Sequence, residues 1–331
     1  MRVLEVGVCG TDREIAAGHF GVPPRGSSEL VLGHELLGVV ERDAHGFSRG
    51  QLVTATVRRS CGRCRACAEG SPDSCLTGDY DERGITRLDG FARELVGEDP
   101  AQLVPLPAAL GRAGVLAEPA SVCARAIRHA RAIGARQPWE PVRALVLGAG
   151  AVGMLATCLL RLEGFDVWTA ALEPPDDPRA ALAEALGARY ASTAAAAVGE
   201  LGAEAGGFDL VLEATGDADA MAAALGVLRR SGVACLLGID PRERTVALGG
   251  RVLGVDLILG NRVVFGSVNA RRDDVVDAVD ALRRARARWP EALDAFVGLR
   301  VPLDRFADAF GFRGVKATLV LDDHSTRLEG T

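Results

Sequence analysis

The sequence predicts an α/β protein that combines a β-rich part with a doubly wound parallel sheet. Up to about residue 115, short apolar stretches separated by Gly and Pro indicate the strands of a small β-barrel. Between residues 143 and 268, apolar strand-like runs alternate with helical patterns, which is typical of a parallel sheet covered by helices.

Composition limits the classes of protein to consider. The 331 residues are 48% hydrophobic and 25% charged, which suits about two globular domains of roughly 100–200 residues each. A net charge of −6 argues against a general nucleic-acid binder. No apolar run approaches the roughly 18 residues that a membrane span needs. Eight cysteines in such a chain favour metal ligands or buried thiols over disulfides, and we expect a cytoplasmic location.

The first part of the chain supplies the predicted barrel. A proline-bearing connector, ARQPWEPV, follows a predicted helix that runs from Glu118 to about Ala135. Strands are expected in ELLGVVE (35–41), GQLVTATV (50–57), GFARELV (90–96) and QLVPLP (102–107). After Ser267 we expect an amphipathic helix (271–289), a short helix (302–312) and a strand (315–321) that return to this domain. The predicted domains are therefore 1–135 with 271–331, and 136–270.

The first residues already have the pattern of a barrel strand. Val3, Val6 and Val8 are apolar, and Cys9 follows at once. Only eight residues precede Cys9, so we expect this strand to lack neighbours. Because an unpaired strand edge is an aggregation hazard, we expect upstream residues to supply the missing strands. The alternative is a short variant with a rearranged barrel.

The second part contains a glycine loop. Gly148, Gly150 and Gly153 form G-x-G-x-x-G between an apolar strand and a helix that reaches about Glu163. Such glycines permit a tight turn and close backbone approach to a pyrophosphate, which the helix N-terminus attracts. Glu173 follows the next strand, about 20 residues past the last glycine, where an acid hydrogen-bonds the adenosine ribose. The loop predicts dinucleotide binding.

The alternation around this loop predicts the rest of the parallel sheet. The expected strands are ALVLG (144–148), DVWTAA (166–171), FDLVLEATG (208–216), VACLLGI (233–239) and RVVFGSV (262–268). Helices are expected in RAALAEALG (179–187), ADAMAAALGVLRR (218–230) and RVLGVDLIL (251–259), and a helix or loop at 192–207. Thr215 and Gly216 end one strand at its carboxyl end, where ligands of such sheets bind.

Four cysteines form a compact cluster within residues 58–80. Cys61, Cys64, Cys67 and Cys75 have the spacing C-x2-C-x2-C-x7-C, which suits tetrahedral structural zinc. Four free thiols in a loop are the plain alternative. Nearby arginines also suggest a zinc-ribbon contact with nucleic acid, which the acidic chain disfavours. Cys123, Cys158 and Cys235 lie in apolar runs and are expected to be buried thiols.

A second metal site is indicated at the start of the chain. Cys9 opens CGTD, and His34 and Glu35 follow within GHE. A thiolate, an imidazole and a carboxylate suit a catalytic zinc, which keeps one coordination position open.

Together these motifs resemble the zinc-dependent medium-chain dehydrogenases, and within them the glucose (aldose) 1-dehydrogenase branch. The general marks are CGTD, GHE, the four-cysteine cluster, AEP (117–119) and GAGAVG (148–153). The more specific marks are VLGHELLGVVE (31–41), TVRRS (56–60), YDERGI (80–85) and GSVNA (266–270). The resemblance implies a GroES-like β-barrel catalytic domain and a Rossmann domain with the active cleft between them.

The resemblance also implies roles for individual residues. Cys9 and His34 would bind catalytic zinc, with Glu35 and Glu118 as direct or water-mediated ligands, and Thr11 would hydrogen-bond the substrate hydroxyl. Glu82 and Asn269 match positions that contact sugar hydroxyls, together with Thr11 and Glu118. The residues implied in cofactor binding are Gly148, Gly150, Ala151, Val152, Gly153, Glu173, Thr215, Gly216, Gly238, Val268 and Asn269. As alternatives, Glu82 and Asn269 are ordinary loop hydrogen-bonders and Glu118 is a helix N-terminal acid.

The implied reaction is hydride transfer from C1 of an aldose to a nicotinamide cofactor, giving a lactone. A polyol or cyclitol dehydrogenase and a non-catalytic zinc and dinucleotide binder are the alternatives. Many members of this branch carry arginines where this chain reads ALEPPDD (171–177), so we expect NAD to be preferred over NADP. Arg179 is the nearby group that would reverse this preference. The expected assembly is a homodimer or homotetramer without nucleic-acid or membrane partners.

Overall fold

A computed structural model describes residues 1–322, and these residues form fifteen strands and ten α-helices. The strands are β1 (Arg2–Val8), β2 (Glu35–Val39), β3 (Leu52–Ala55), β4 (Arg58–Arg59), β5 (Asp81–Arg83), β6 (Arg87–Leu88), β7 (Leu103–Pro105), β8 (Arg143–Leu147), β9 (Asp166–Ala171), β10 (Arg189–Ser192), β11 (Phe208–Glu213), β12 (Leu228–Leu236), β13 (Val263–Gly266), β14 (Val297–Pro302) and β15 (Lys316–Val320). The α-helices are α1 (Gly10–Ala16), α2 (Arg65–Ala68), α3 (Ala117–Gly134), α4 (Ala151–Leu162), α5 (Pro178–Ala185), α6 (Val198–Ala205), α7 (Ala218–Gly226), α8 (Arg272–Arg288), α9 (Pro290–Ala295) and α10 (Phe306–Gly311). Short 3-10 helices cover Pro72–Ser74, Pro100–Gln102, Ala108–Leu116 and Leu303–Arg305, and a π-helix covers Val252–Leu257.

These elements divide into two units. Among the described residues, the first contains 1–122 and 269–322, and the second contains 123–268. The first boundary lies inside α3, whereas the sequence places it after residue 135, because the first turn of this helix belongs to the first unit. The end of the expected range 271–331, residues 323–331, lies outside the described residues.

The main sheet of the first unit has the strand order β14-β15-β1-β2-β3-β7. Its neighbours are antiparallel except β14 and β15, which run parallel. A smaller sheet has the order β4-β5-β6. The predicted strands at 35–41, 50–57, 102–107 and 315–321 are confirmed in their central residues.

The expectation of an unpaired first strand is wrong. β1 lies between β2 and β15, and Gly7 is paired with Glu35 on one side and with Thr318 on the other. The sequence pattern cannot show this pairing, because β15 lies about 300 residues further along the chain. Both edges of β1 therefore have hydrogen-bonding partners.

The two faces of β1 have opposite chemistry. Val6 and Val8 lie on an apolar face and are buried in hydrophobic clusters. Glu5 alternates with them and is only 1% exposed, with ion pairs to Arg112 and Arg300 and a 2.9 Å hydrogen bond from the Thr318 hydroxyl. The sheet therefore buries charge on one face, and that charge is paired.

The predicted strand GFARELV (90–96) is not a strand. The N–H groups of Gly90 and Phe91 donate to the carbonyls of Val31 and Gly33, whereas Leu95 forms an isolated antiparallel bridge with Arg2 of β1. Phe91 is fully buried in the hydrophobic core. The segment therefore combines one buried aromatic side chain with a short bridge to β1, and it does not form a continuous strand.

The second unit contains one parallel sheet with the order β10-β9-β8-β11-β12-β13. Counted from β8, this is the 3-2-1-4-5-6 order of the Rossmann fold. The alternation predicted from the sequence is confirmed, and residues 192–207 contain α6. One boundary is wrong: Leu228–Arg230 begin β12 and do not extend α7, because Leu228 is buried beside Phe208 of β11.

The three cysteines in apolar runs are buried as expected. Cys123, Cys158 and Cys235 have no exposed surface, and burial raises the pKa of Cys158 and of Cys235 to about 12. All eight cysteines are free thiols. Within residues 1–322, every helix is too short or too polar to cross a bilayer.

Gly7 provides a test of the register between β1 and β2. A Cβ atom at this position would lie 1.8 Å from Oε2 of Glu35, so the carboxylate would have to move. We expect Gly7→Ala to lower the free energy of unfolding by about 1–3 kcal/mol, measured by urea denaturation. The control is Gly97→Ala, where a Cβ meets no atom within 4 Å and stability should change by less than about 0.5 kcal/mol. Unchanged stability of Gly7→Ala would contradict the described position of Glu35.

Candidate active site and zinc centres

Cys9 is held at the junction of β1 and α1. It is the N-cap of α1, and its sulfur accepts a hydrogen bond from the Thr11 N–H at 3.2 Å. The Cys9 N–H donates to Oδ2 of Asp12 at 2.9 Å. This reciprocal capping satisfies backbone donors at the helix start and fixes the direction of the thiol.

His34 faces Cys9 on one side and an acid on the other. Its Nε2 lies 3.1 Å from the Cys9 sulfur, and its Nδ1 lies 3.4 Å from Oδ1 of Asp12. Burial disfavours the charged imidazole, but Cys9 and Asp12 together raise the pKa of His34 well above its usual value. A histidine that binds metal through one nitrogen usually directs the other towards a carboxylate, so this arrangement fits a metal ligand.

Glu35 completes the cluster and is held by a buried lysine. Ligand atoms of Cys9, His34 and Glu35 lie within 4.8 Å of one another. Both Glu35 oxygens lie 2.6 Å from Nζ of Lys316, which also donates to the Val8 carbonyl at 3.3 Å. The donor set of thiol, imidazole and carboxylate fits zinc. Sequence reasoning missed Lys316; its one signal is that it is the only lysine in the chain.

The two other expected catalytic residues lie in the same unit. Glu118 is in the first turn of α3, outside the three-residue cluster. Burial raises its pKa to about 7, Glu35 adds to the rise, and His34 opposes it. Thr11 is half-buried in the first turn of α1, and its hydroxyl has no hydrogen bond from or to residues 1–322.

The two residues expected to contact sugar hydroxyls are joined directly. Nδ2 of Asn269 donates to Oε1 of Glu82 at 2.6 Å, although 187 residues separate them. The same oxygen accepts from Nε of Arg58 at 3.0 Å. Gly84, two residues beyond Glu82, packs so closely on Gly33 that a Cβ would lie 2.6 Å from its carbonyl oxygen. This contact ties the Glu82 loop to the residue before His34.

Sulfur positions in the four-cysteine lobe, residues 58–80, match a closed zinc site. The sulfurs of Cys61 and Cys67 lie 3.7 Å apart, and those of Cys64 and Cys75 lie 3.9 Å apart. A tetrahedron of zinc–sulfur bonds of about 2.3 Å has edges of about 3.8 Å. All four ligand atoms lie within 4.8 Å of one another. The predicted structural zinc site therefore has its ligands assembled.

Hydrogen bonds in this lobe favour the thiolate form of two of its four cysteines. The Thr77 hydroxyl is the main cause that lowers the pKa of Cys61, to about 5, and of Cys75. Burial raises the pKa of Cys67 to about 11. Zinc binding requires all four thiols to lose their protons, so hydrogen-bond donors that favour thiolate prepare the site.

The glycine loop of the second unit has the expected geometry. Gly148 has φ +104°, and a Cβ at Gly153 would lie 1.9 Å from the Gly148 carbonyl oxygen. Gly150 is the N-cap of α4, and Ala151 and Val152 form its first turn. The backbone N–H groups at this helix start lie at the carboxyl end of β8, as in dinucleotide sites.

Glu173 follows β9 and is engaged by Arg179. Nη1 of Arg179 lies 2.7 Å from Oε1 of Glu173, and the same guanidinium donates twice to Asp177 at 2.8 Å. The Arg179 hydrogen bonds lower the pKa of Asp177 to about 2. Arg179 therefore already has two carboxylate partners.

The other residues expected to bind the cofactor also follow parallel strands. Thr215 and Gly216 follow β11, Gly238 follows β12, and Val268 follows β13 and is exposed. Gly216 and Gly238 are in close contact, since a Cβ at Gly238 would lie 2.1 Å from the Gly216 nitrogen. Asn269 belongs to the first unit. The second unit thus gathers its share of these residues at the carboxyl edge of its sheet.

Comparison with known proteins covers both units. The family described as alcohol dehydrogenase GroES-like domain matches residues 1–108, and the family described as glucose dehydrogenase C-terminus matches residues 111–321. Glucose 1-dehydrogenase of Methanocella arvoryzae is 39% identical over 96% of this chain and 89% of its own length. Glucose 1-dehydrogenase of Thermoproteus tenax is 39% identical over 94% of this chain and 87% of its own length.

A solved structure agrees with these matches. Glucose dehydrogenase of Haloferax mediterranei, in complex with NADP, zinc and gluconolactone, has a TM-score of 0.89. It is 29% identical, and the match covers 97% of this chain and 91% of that one. The predicted fold class, a GroES-like domain with a Rossmann domain, is confirmed. The chain belongs to the zinc-dependent medium-chain dehydrogenases, in their glucose dehydrogenase branch.

Proposed function

We propose that this chain is a zinc-dependent aldose 1-dehydrogenase that oxidises C1 of a glucose-like sugar to an aldonolactone. The observation that carries the proposal is the cluster of half-buried Cys9 with buried His34 and Glu35, whose donor atoms lie within 4.8 Å of one another in the unit that also joins Glu82 to Asn269. The Haloferax relative, described with zinc, NADP and gluconolactone, supports the same class of substrate.

We assign the metals and the cofactor to the following residues. Cys9 and His34 would bind the catalytic zinc, with Glu35 and Glu118 as direct or water-mediated ligands, and the four-cysteine lobe would bind the structural zinc. When bound, zinc lowers the pKa of a sugar hydroxyl and the dinucleotide accepts hydride. The glycine loop, Glu173 and the strand ends at 215–216, 238 and 268 would hold the dinucleotide.

The side chains of this chain orient the sugar and move its proton. Thr11 lies two residues after Cys9, and its hydroxyl has no hydrogen-bond partner among residues 1–322. It would accept the proton of the C1 hydroxyl and release its own hydroxyl proton outward. Asp12 holds the His34 ring in place through its contact with Nδ1. Glu82 and Asn269 would hydrogen-bond other hydroxyls of the sugar, which sets the position of C1.

The pairing of Arg179 bears on the preference between NAD and NADP. A 2′-phosphate would meet Glu173, Asp176 and Asp177, and the Arg179 guanidinium is already paired with two of these carboxylates. We therefore propose NAD as the preferred cofactor, on the residues of this chain alone, since the Haloferax relative contains NADP.

The cellular location and the oligomeric state are also proposed. Eight free thiols suit a reducing compartment, and we propose a cytoplasmic homodimer or homotetramer. Exposed apolar side chains at Leu253, Ile258 and Leu259 in the second unit suit contact between copies.

The direct test is turnover of a panel of aldoses, polyols and cyclitols with NAD and with NADP. We expect D-glucose or a close epimer to have the highest kcat/KM, because Glu82 and Asn269 lie side by side and would both hydrogen-bond hydroxyls of the sugar. Trapping of the product with hydroxylamine should detect a lactone. Polyol oxidation without any aldose oxidation would reject the aldose assignment, and no turnover of any compound would reject the enzyme.

Metal content should separate the two zinc sites. We expect two zinc ions per chain by elemental analysis, one after Cys9→Ser and one after Cys64→Ser. Cys9→Ser should abolish turnover with little change in Tm, whereas Cys64→Ser should lower Tm, because the closed lobe contributes to folding. The control Cys158→Ala removes a buried thiol from α4 and should retain both ions. One zinc or none in the carefully purified unaltered chain would contradict this assignment.

Cofactor preference should depend on Glu173. We expect kcat/KM with NAD to exceed that with NADP by about a hundredfold, because like charges oppose the 2′-phosphate. Glu173→Arg should reduce this ratio by about tenfold or more, while Glu184→Arg on the exposed face of α5 should leave it unchanged. Equal kcat/KM values with both cofactors in the unaltered chain would reject the NAD assignment.

A further inference from the structure

Arg58 connects the four-cysteine lobe to Glu82. Its side chain is buried, and its Nε donates to Oε1 of Glu82 at 3.0 Å. Its Nη1 donates to the Asp73 carbonyl at 2.7 Å, and its guanidinium lies 3.7 Å from the centre of the Tyr80 ring. One planar cation therefore makes a charge-assisted hydrogen bond, a backbone hydrogen bond and a cation–π contact.

The hydrogen bonds of the Glu82 carboxylate are all on one oxygen. Oε1 accepts from both Arg58 and Asn269, while no donor among residues 1–322 reaches Oε2. A carboxylate anchored in this way has one fixed oxygen and one available acceptor. The available oxygen is suited to a hydroxyl of the substrate.

The sheet register reinforces this arrangement. Arg58 of β4 is paired directly opposite Glu82 of β5, so the two side chains lie on the same face of the small sheet. The Nη1 end of the guanidinium is held by the lobe, because its acceptor, the Asp73 carbonyl, lies in the 3-10 turn just before Cys75. The position of the guanidinium is thus set by the fold of the lobe.

We propose that Arg58 is a positioning residue that orients Glu82 towards a sugar hydroxyl and makes this orientation depend on the four-cysteine lobe. The proposal rests on the proposed function in one respect, the use of Glu82 for a sugar. It assigns the lobe a second role besides stability, since disorder at Asp73 or Tyr80 would release the guanidinium from one end. Such disorder should then reduce selectivity among sugars while dinucleotide binding is retained.

A purely structural role for Arg58 makes a different prediction. If Arg58 only anchored the lobe, its loss would lower zinc content and Tm and would reduce turnover of every sugar in the same proportion. If it orients Glu82, its loss should affect the sugars that carry the recognised hydroxyl and spare the analogue that lacks it, because that analogue never makes the hydrogen bond.

The experiment compares Arg58→Met, Arg58→Lys and Glu82→Gln in the full chain. The control is Arg65→Met, an exposed arginine of the same lobe that pairs with Glu69. For each protein, kcat/KM is measured with D-glucose and with its 2-, 3-, 4- and 6-deoxy analogues. KM for NAD, NADH binding by fluorescence, zinc content and Tm are measured beside it.

We expect the unaltered chain to discriminate against at least one deoxy analogue by about tenfold or more. Arg58→Met should lower kcat/KM for D-glucose by about tenfold, while the value for that analogue changes by less than about threefold. NADH binding and zinc content should be unchanged. Arg58→Lys should retain part of the discrimination, because one ammonium cannot bridge Glu82 and Asp73 as the guanidinium does. Arg58→Met combined with Glu82→Gln should be no worse than Glu82→Gln alone.

Four results would overturn the inference. Equal losses for D-glucose and all analogues would show a structural role, as would loss of zinc in Arg58→Lys. Full discrimination in Arg58→Met, with an unaltered chain active on D-glucose, would overturn the inference alone. Failure of the unaltered chain to oxidise any aldose would overturn the proposed function and the inference with it. If Arg58→Met does not fold, Tyr80→Leu, which removes the ring beneath the guanidinium, replaces it and should weaken discrimination in the same direction.

Discussion

The buried ion pair between Lys316 and Glu35 is the interaction on which the candidate active site depends. Both side chains are almost fully buried, and removing one partner of such a pair typically costs about 3–5 kcal/mol, because the other charge is left unpaired. The pair joins β15 to β2 across β1, so it requires all three strands to keep their register. Cys9 directly follows β1 and His34 directly precedes β2, and that register brings the two residues together. Gly7 leaves the space that the Glu35 carboxylate occupies.

Each unit contributes a separate part of the chemistry. The first unit holds the Cys9 and His34 pair, the four-cysteine lobe and the Glu82 carboxylate, and these are linked through the small sheet and through Gly84 against Gly33. The second unit supplies the carboxyl edge of a parallel sheet, where glycines and a strand-end acid suit a dinucleotide. This division matches the chemistry, since a hydride acceptor needs only binding and orientation while the sugar hydroxyl needs charge placed beside it.

Local patterns in the sequence were sufficient for the glycine loop, the four-cysteine lobe and the alternating strands. Their geometry is set within a few residues: the spacing of Cys61, Cys64 and Cys67 alone brings the thiols back to one point. Contacts between distant segments were not accessible in this way. The pairing of β1 with β15 and the contact of Lys316 with Glu35 depend on a register that no local pattern encodes. The burial of Arg58 and of Lys316 was not predicted either, because burial of a charge becomes visible only once its partner is known.

The identity of residue 316 follows from the number of acceptors around it. The chain contains a single lysine. Its other basic side chains are arginines and five histidines. The ammonium at 316 meets three acceptors, the two Glu35 oxygens and the Val8 carbonyl, and it has three N–H donors. An arginine would bring five donors on a wider planar group, and the extra donors would be buried without acceptors. A compact ammonium therefore satisfies this site completely, and a guanidinium would not.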